Sequence, residues 1–254
     1  MQWNARVLEL LFAHGYPLLL VLFRTSGVCM LAPILGARTV PTRVRLAVSL
    51  AGAFVAYVGG GAPTLALPTS FLGILGHAAG ESALGMSAGL AARITLDAAM
   101  GAGQLASLGM GFGYSAVMNP LSGVESTMLG DLFAQVAMMF AVAYGLHREA
   151  FVWLAHSVRM IPPGATVDFH HLLIGITSHG ISAIALSVRM GFPILVAVTF
   201  GHMALAVTGR VATQLNLSTV GFSVAILAGG AAMYVLLPDI AATVAREAMA
   251  SFSL

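Results

Sequence analysis

His77 and Glu81 stand four residues apart, so a helix through them carries both on one face. An imidazole and a carboxylate at that spacing make half of a metal site. No second pair is placed to complete it, and the two read as a hydrogen-bonded interfacial pair. His170 and His171 are adjacent, about 100° apart on a helix, and read as a solvated or interfacial pair. Ser115, within Gly113-Tyr114-Ser115-Ala116, has the setting of a nucleophile, with His202 as a conceivable base. The glycine that completes a nucleophile elbow is absent, and Val117 stands in its place. Gly109, Gly111 and Gly113 are spaced like part of a nucleotide loop, but no strand precedes them, so phosphate binding is rejected. Cys29 is the single cysteine. It allows no intrachain disulfide and no cysteine-based zinc cage, and it reads as a small core hydrophobe. No catalytic, cofactor-binding or metal-ligating residue emerges from these constellations.

The elements around these residues are apolar almost throughout. Of 254 residues, 59% are hydrophobic and only 8% are charged, where a soluble domain has about 25% charged. The chain reads as an integral membrane protein with several apolar segments. All eleven basic residues are Arg, and the excess over nine acids forms no run, so nucleic-acid binding is not supported. Glu9 and His14 interrupt the first apolar stretch and no A-x-A site follows, so a retained first segment is expected rather than a cleaved signal peptide.

The first apolar stretch runs from Val7 to Leu35, interrupted by Pro17, Arg24 and Pro33. A basic loop follows, with Arg38, Pro41, Arg43 and Arg45. By the positive-inside rule this loop is cytoplasmic. A second stretch, Leu46 to Val58, stops at Gly59-Gly60-Gly61 and Pro63. The third, Thr69 to Leu108, would make a helix about 60 Å long, twice the hydrocarbon thickness of about 30 Å. A fourth runs from Leu129 to Val158 and stops at Ile-Pro-Pro-Gly, residues 161–164. A fifth runs from Leu172 to Val211 with Pro193 inside it as a kink, and a last one from Val220 to Leu237 is broken by Pro238-Asp239. Glu81, Arg93, Asp97, His179, Arg189 and His202 lie in these stretches. An acid or Arg at a helix centre costs about 2.5–3.5 kcal/mol in lipid, so several of them imply shelter by partners, by a water-filled channel or by a position above the membrane. Arg24, Arg93, Arg189 and Arg210 read as snorkelling or as paired with Asp97, Asp131 or Glu149.

Small residues recur every three or four positions at Gly76, Gly80, Ala83, Ser87 and Ala91. That spacing puts them on one face, where another backbone can approach closely. They form the expected helix-packing seam.

Four segments in order resemble the FliR family. They are FRTSGVCMLAPILGARTVPTRVRLAVSLAGAF (residues 23–54), GESALGMSAGLAARI (80–94), GMGFGYSAVMNPLSGVEST (109–127) and RVATQLNLSTVGFSVAILAGG (210–230). The resemblance covers essentially the whole chain as a single domain, 1–254. One departure is Gly221-Phe222-Ser223-Val224-Ala225, where the family commonly carries a Lys.

The resemblance implies an all-α fold of long kinked helices and helical hairpins, part of a hetero-oligomeric channel. It implies a non-enzymatic subunit of the flagellar type III export gate in the bacterial inner membrane, at the basal body, working without a cofactor. FliP-like and FliQ-like subunits would be its partners, with an FlhB-like subunit docking outside and unfolded proteins as the cargo. The homologous injectisome export subunit is the rival identity, and a small-molecule transporter is a more distant one, since no inverted repeat is found. The central loop would plug the channel. Gly111 and Gly113 let it move, Phe112, Tyr114 and Met118 fill the pore, and Asn119 and Pro120 turn the chain.

Overall fold

The computed structural model describes residues 2–37, 40–112, 127–211 and 217–252. Among them every regular element is a helix: α1 (Gln2–Leu31), α2 (Thr42–Gly59), α3 (Phe71–Met110), α4 (Met128–Tyr144), α5 (Leu146–Met160), α6 (Phe169–Val211) and α7 (Leu217–Ala250). The fold is therefore all-α, as the resemblance implies. Among the described residues four stretches are long and apolar enough to cross a membrane, Ala13–Leu31, Thr42–Gly59, Phe169–Gly209 and Val220–Ala250, and the bent pair Met128–Tyr144 and Leu146–Met160 would make a fifth if it counts as one span. The charged α3 is not among them.

Proline decides less than its position suggests. Pro17 lies inside α1 and Pro238 inside α7, and both helices continue through them. Pro17 has no N–H, so the carbonyl four residues earlier, on Ala13, loses its helical donor. The Leu65 N–H replaces it at 3.3 Å, supplied by the extended connection between α2 and α3. Pro238 does not end the last helix, which runs twelve residues further, to Ala250. The single apolar stretch from Leu129 to Val158 is two helices. Gly145 separates α4 from α5 with φ 88°, the left-handed region that glycine enters without strain.

The described chain divides into two compact units. The first contains Met1–Arg93, Gly145–His179 and Ala248–Leu254, and the second contains Ile94–Tyr144 and Gly180–Glu247. In the first, α1 buries a stripe at Tyr16, Leu20, Val21, Val28 and Cys29, the three-and-four spacing of a helix face. Glycines set how close the helices come. A Cβ on Gly27 of α1 would stand 2.7 Å from the Ser82 carbonyl oxygen and 2.9 Å from the Met86 nitrogen of α3. One on Gly89 would stand 2.9 Å from the Val28 carbonyl oxygen. Backbone meets backbone there, which only glycine permits. Trp153 of α5 closes this core against Phe252.

The second unit is built on alanine. Ala98, Ala99, Ala102 and Ala106 of α3 are buried along with Phe133 and Ala137 of α4, Ile194 and Val198 of α6, and Val244 and Ala245 of α7. Its helices also approach at glycines: a Cβ on Gly103 would stand 2.6 Å from the Leu129 carbonyl oxygen. Large apolar side chains remain outside on α6 and α7, among them Ile184, Phe200, Leu227 and Val235.

Candidate functional site

Arg24 is wholly buried in the first unit, and Glu81 is 1% exposed. An uncompensated charge would not survive such burial; these two compensate each other. Arg24 Nε donates to Glu81 Oε2 at 2.6 Å and its NH2 donates to Oε1 at 3.1 Å, the two-pronged geometry that guanidinium and carboxylate share. The remaining donors reach the end of α5: NH1 to Ser157 Oγ at 3.1 Å and NH2 to the Ile161 carbonyl at 2.9 Å. Glu81 Oε1 also accepts from the Gly164 N–H at 2.9 Å. The Ile-Pro-Pro-Gly turn is thus tied to α1 and α3 through one charge pair. Gly164 needs its glycine, with φ 80° and the His77 Nδ1 3.2 Å from where a Cβ would stand.

A close approach of α1 and α3 at glycine accompanies the pair. Gly85 lies one turn beyond Glu81, and a Cβ there would collide with the Arg24 carbonyl oxygen. Arg24 therefore pairs with Glu81 and not with Asp97, Asp131 or Glu149. The expected snorkelling is absent because its side chain sits on the buried stripe of α1. The signal in the sequence is the coincidence of an isolated charge and a nearby glycine on both helices, Arg24 with Gly27 and Glu81 with Gly85.

His77 takes a partner of its own. Its Nδ1 is 2.9 Å from the Tyr16 hydroxyl, so the helix-face neighbours His77 and Glu81 each bond to α1. A second pair, His14 Nδ1 and the Tyr57 hydroxyl at 2.8 Å, joins α1 to α2, and Tyr57 donates on to the Pro63 carbonyl at 3.1 Å. These are structural ties between helices. At the start of α6, His171 Nδ1 meets the exposed Asp168 Oδ2 at 2.8 Å, and Asp168 Oδ1 accepts the His170 N–H at 2.9 Å. Asp168 caps that helix. The His171 hydrogen bond, and then the two backbone N–H groups, hold its carboxyl below the usual range.

Of the expected seam, Gly80 and Ala91 are buried, Ala83 and Ser87 are half-buried and Gly76 is exposed. A Cβ on Gly80 would meet Val167 Cγ2 at 3.1 Å, whereas one on Gly76 would meet nothing within 4 Å. The closest backbone approaches in this part of α3 fall at Gly85 and Gly89.

Of the expected plug, Gly111 and Phe112 are described; Gly113, Tyr114, Met118, Asn119 and Pro120 lie outside the described residues, as does Ser115. Gly111 ends α3 with φ 86°. Its N–H donates to the Leu108 carbonyl at 3.1 Å, and the Phe112 N–H donates to the Ser107 carbonyl at 2.9 Å. That is a Schellman cap, which favours glycine at the left-handed position. Gly109 is inside the helix, so the glycine spacing here serves helix and cap. Phe112 then meets Phe222 of α7 edge to face, ring centres 5.7 Å apart. The central segment leaves α3 from a fixed cap, with an aromatic ring as its first large side chain.

The model of the family described as bacterial export proteins, family 1, matches residues 16–250. The flagellar biosynthetic protein FliR of Escherichia coli K12 is 24% identical over 240 residues, covering 94% of this chain and 88% of that protein. FliR of Aquifex aeolicus is 25% identical, covering 91% and 88%. FliR of Bacillus subtilis is 26% identical, covering 80% and 79%.

Proposed function

The chain belongs to the bacterial export proteins, family 1, and from that premise we propose that it is a non-enzymatic subunit of the flagellar type III export gate, forming part of the channel through which unfolded proteins leave the cell. It is a membrane protein of the flagellar export apparatus. In this reading it resides in the inner membrane, packs against FliP-like and FliQ-like subunits, and has an FlhB-like subunit docked on it. The flagellar names of its relatives favour this over the injectisome.

The observation that carries the assembly is the outer face of α6. Ile181, Ile184, Val188, Phe192, Phe200 and Val207 are all exposed. At about 100° per residue they fall within roughly 160° of the helix circumference, a broad stripe on one side. From Ile181 to Val207 that stripe is about 39 Å long along the helix, against a hydrocarbon layer of about 30 Å. Lipid alone covers it only at a tilt near 40°, the upper end of what helices adopt. Exposed Arg189 and His202 share this side of the helix and are costly in lipid. Neighbouring protein helices bury the stripe and offer the polar groups partners.

The segment 111–120 is the channel plug in this reading. The cap at Gly111 anchors one end, Phe112, Tyr114 and Met118 fill the pore and exclude water, and Gly113 allows displacement when cargo passes. The helix seam at Gly80, Ala83, Ser87 and Ala91 holds the body together meanwhile. Two measurements test the proposal. Extraction from membranes in mild detergent should bring FliP-like and FliQ-like subunits down with the chain; recovery of a stable lone monomer contradicts the assembly. Replacing Phe112, Tyr114 and Met118 together by Ala should raise ion leak through membranes holding the assembled complex. Unchanged leak with assembly intact returns the loop to a connector.

A further inference from the structure

A cleft of about 300 Å³ opens between α1, α2 and α3, lined in part by Gly27, Met30, Arg45, Leu46, Ser82 and Met86. Its floor is apolar and its mouth is basic. Arg45 is fixed there by two bonds to the turn that follows α1, Nε to the Leu35 carbonyl at 3.0 Å and NH2 to the Ala37 carbonyl at 3.2 Å. A guanidinium has five N–H donors, so this anchoring leaves donors for an incoming acceptor. Arg43, two residues earlier, is exposed and lies outside the cleft lining; seven residues before Leu50, it stands as a second cation at the head of the outer face of α2. No acidic residue occurs between Glu9 and Glu81, and Glu81 is committed to Arg24. Three of the cleft hydroxyls, Ser26, Ser49 and Ser82, each donate to their own helix.

An apolar track leads away from this mouth. Leu46, Leu50, Phe54 and Val58 are all more than half exposed and follow one another at four-residue steps down α2. The track is about 18 Å long, slightly more than one leaflet of a hydrocarbon layer of about 30 Å. The helix bearing it, Thr42–Gly59, is one of those long enough to span, and the two arginines stand at its first turn. They therefore lie at headgroup depth while the track lies at acyl-chain depth. A free phosphate would use the cations and ignore the track; an apolar peptide would use the track and leave the cations unmatched.

We infer that this cleft binds an anionic phospholipid, its phosphate held by Arg45 and Arg43 and one acyl chain laid along α2. The test is native mass spectrometry of the full chain, extracted with its assembly, delipidated and titrated with phosphatidylglycerol or with zwitterionic phosphatidylethanolamine. One phosphatidylglycerol should be retained in preference. R43Q should weaken that retention about fivefold. R45Q also loses two carbonyl bonds, so the exposed Arg43 carries the decisive variant. L50N should weaken retention of the lipid, and glycerol phosphate alone should not displace it. Equal retention of the two lipids, no effect of R43Q, or displacement by glycerol phosphate would each overturn the assignment, the last in favour of a simple anion site.

Discussion

Replacing Glu81 by Ala removes the acceptor of three hydrogen bonds, from Arg24 Nε at 2.6 Å, from Arg24 NH2 at 3.1 Å and from the Gly164 N–H at 2.9 Å. Arg24 would keep Ser157 and the Ile161 carbonyl, but its charge would stay wholly buried with no counter-charge. Breaking one side of such a pair costs about 3–5 kcal/mol, more than the bonds alone because the survivor cannot reach water. Removing both charges, as R24M/E81M, deletes the buried charge itself and should cost less than either single change. Trp153 is buried in the same unit and its fluorescence reports unfolding in mixed micelles. The expected pattern is a large loss for each single variant and a smaller one for the double. A double loss equal to the sum of the singles would refute the coupling on which the site description rests.

Gly85→Ala should destabilise the first unit by about 1–3 kcal/mol, since the new Cβ meets the Arg24 backbone rather than a movable side chain; Gly76→Ala, facing open space, should be neutral or slightly stabilising in the same unfolding measurement. Gly145→Ala should cost about 1–2 kcal/mol from its left-handed backbone, read again as a shift in the unfolding midpoint. The Asp168 carboxyl lies below its usual range, so the cap it gives α6 is present above the unfolded carboxylate pKa and lost as pH falls through the folded value. Amide exchange at His170 and His171 should speed up over that acid window in the wild type and show no such step in Asp168→Ala.

Much of the helix layout is legible because apolar runs and glycine stops mark it directly. The Ile-Pro-Pro-Gly stop after α5 and the glycine stop after α2 both fall where the residues place them. Proline misleads at Pro17 because the lost hydrogen bond is made good by Leu65, a residue distant in sequence. Gly145 is the opposite case: a lone glycine in an apolar run reads as helix, and only its φ of 88° reveals the break. The Arg24–Glu81 pair escapes local patterns because 57 residues separate its members. Its trace is indirect, in the glycines that let α1 and α3 approach. The Asp168 cap was readable in principle, an acid directly before a helical run.

The central claim, that this chain is needed for flagellar protein export, is tested most directly in cells from which it has been removed. Flagellar structural proteins appearing in the medium would be measured with the chain absent and after the wild-type chain is returned. Export should disappear in the first case and come back in the second. Undiminished export without the chain would contradict the account.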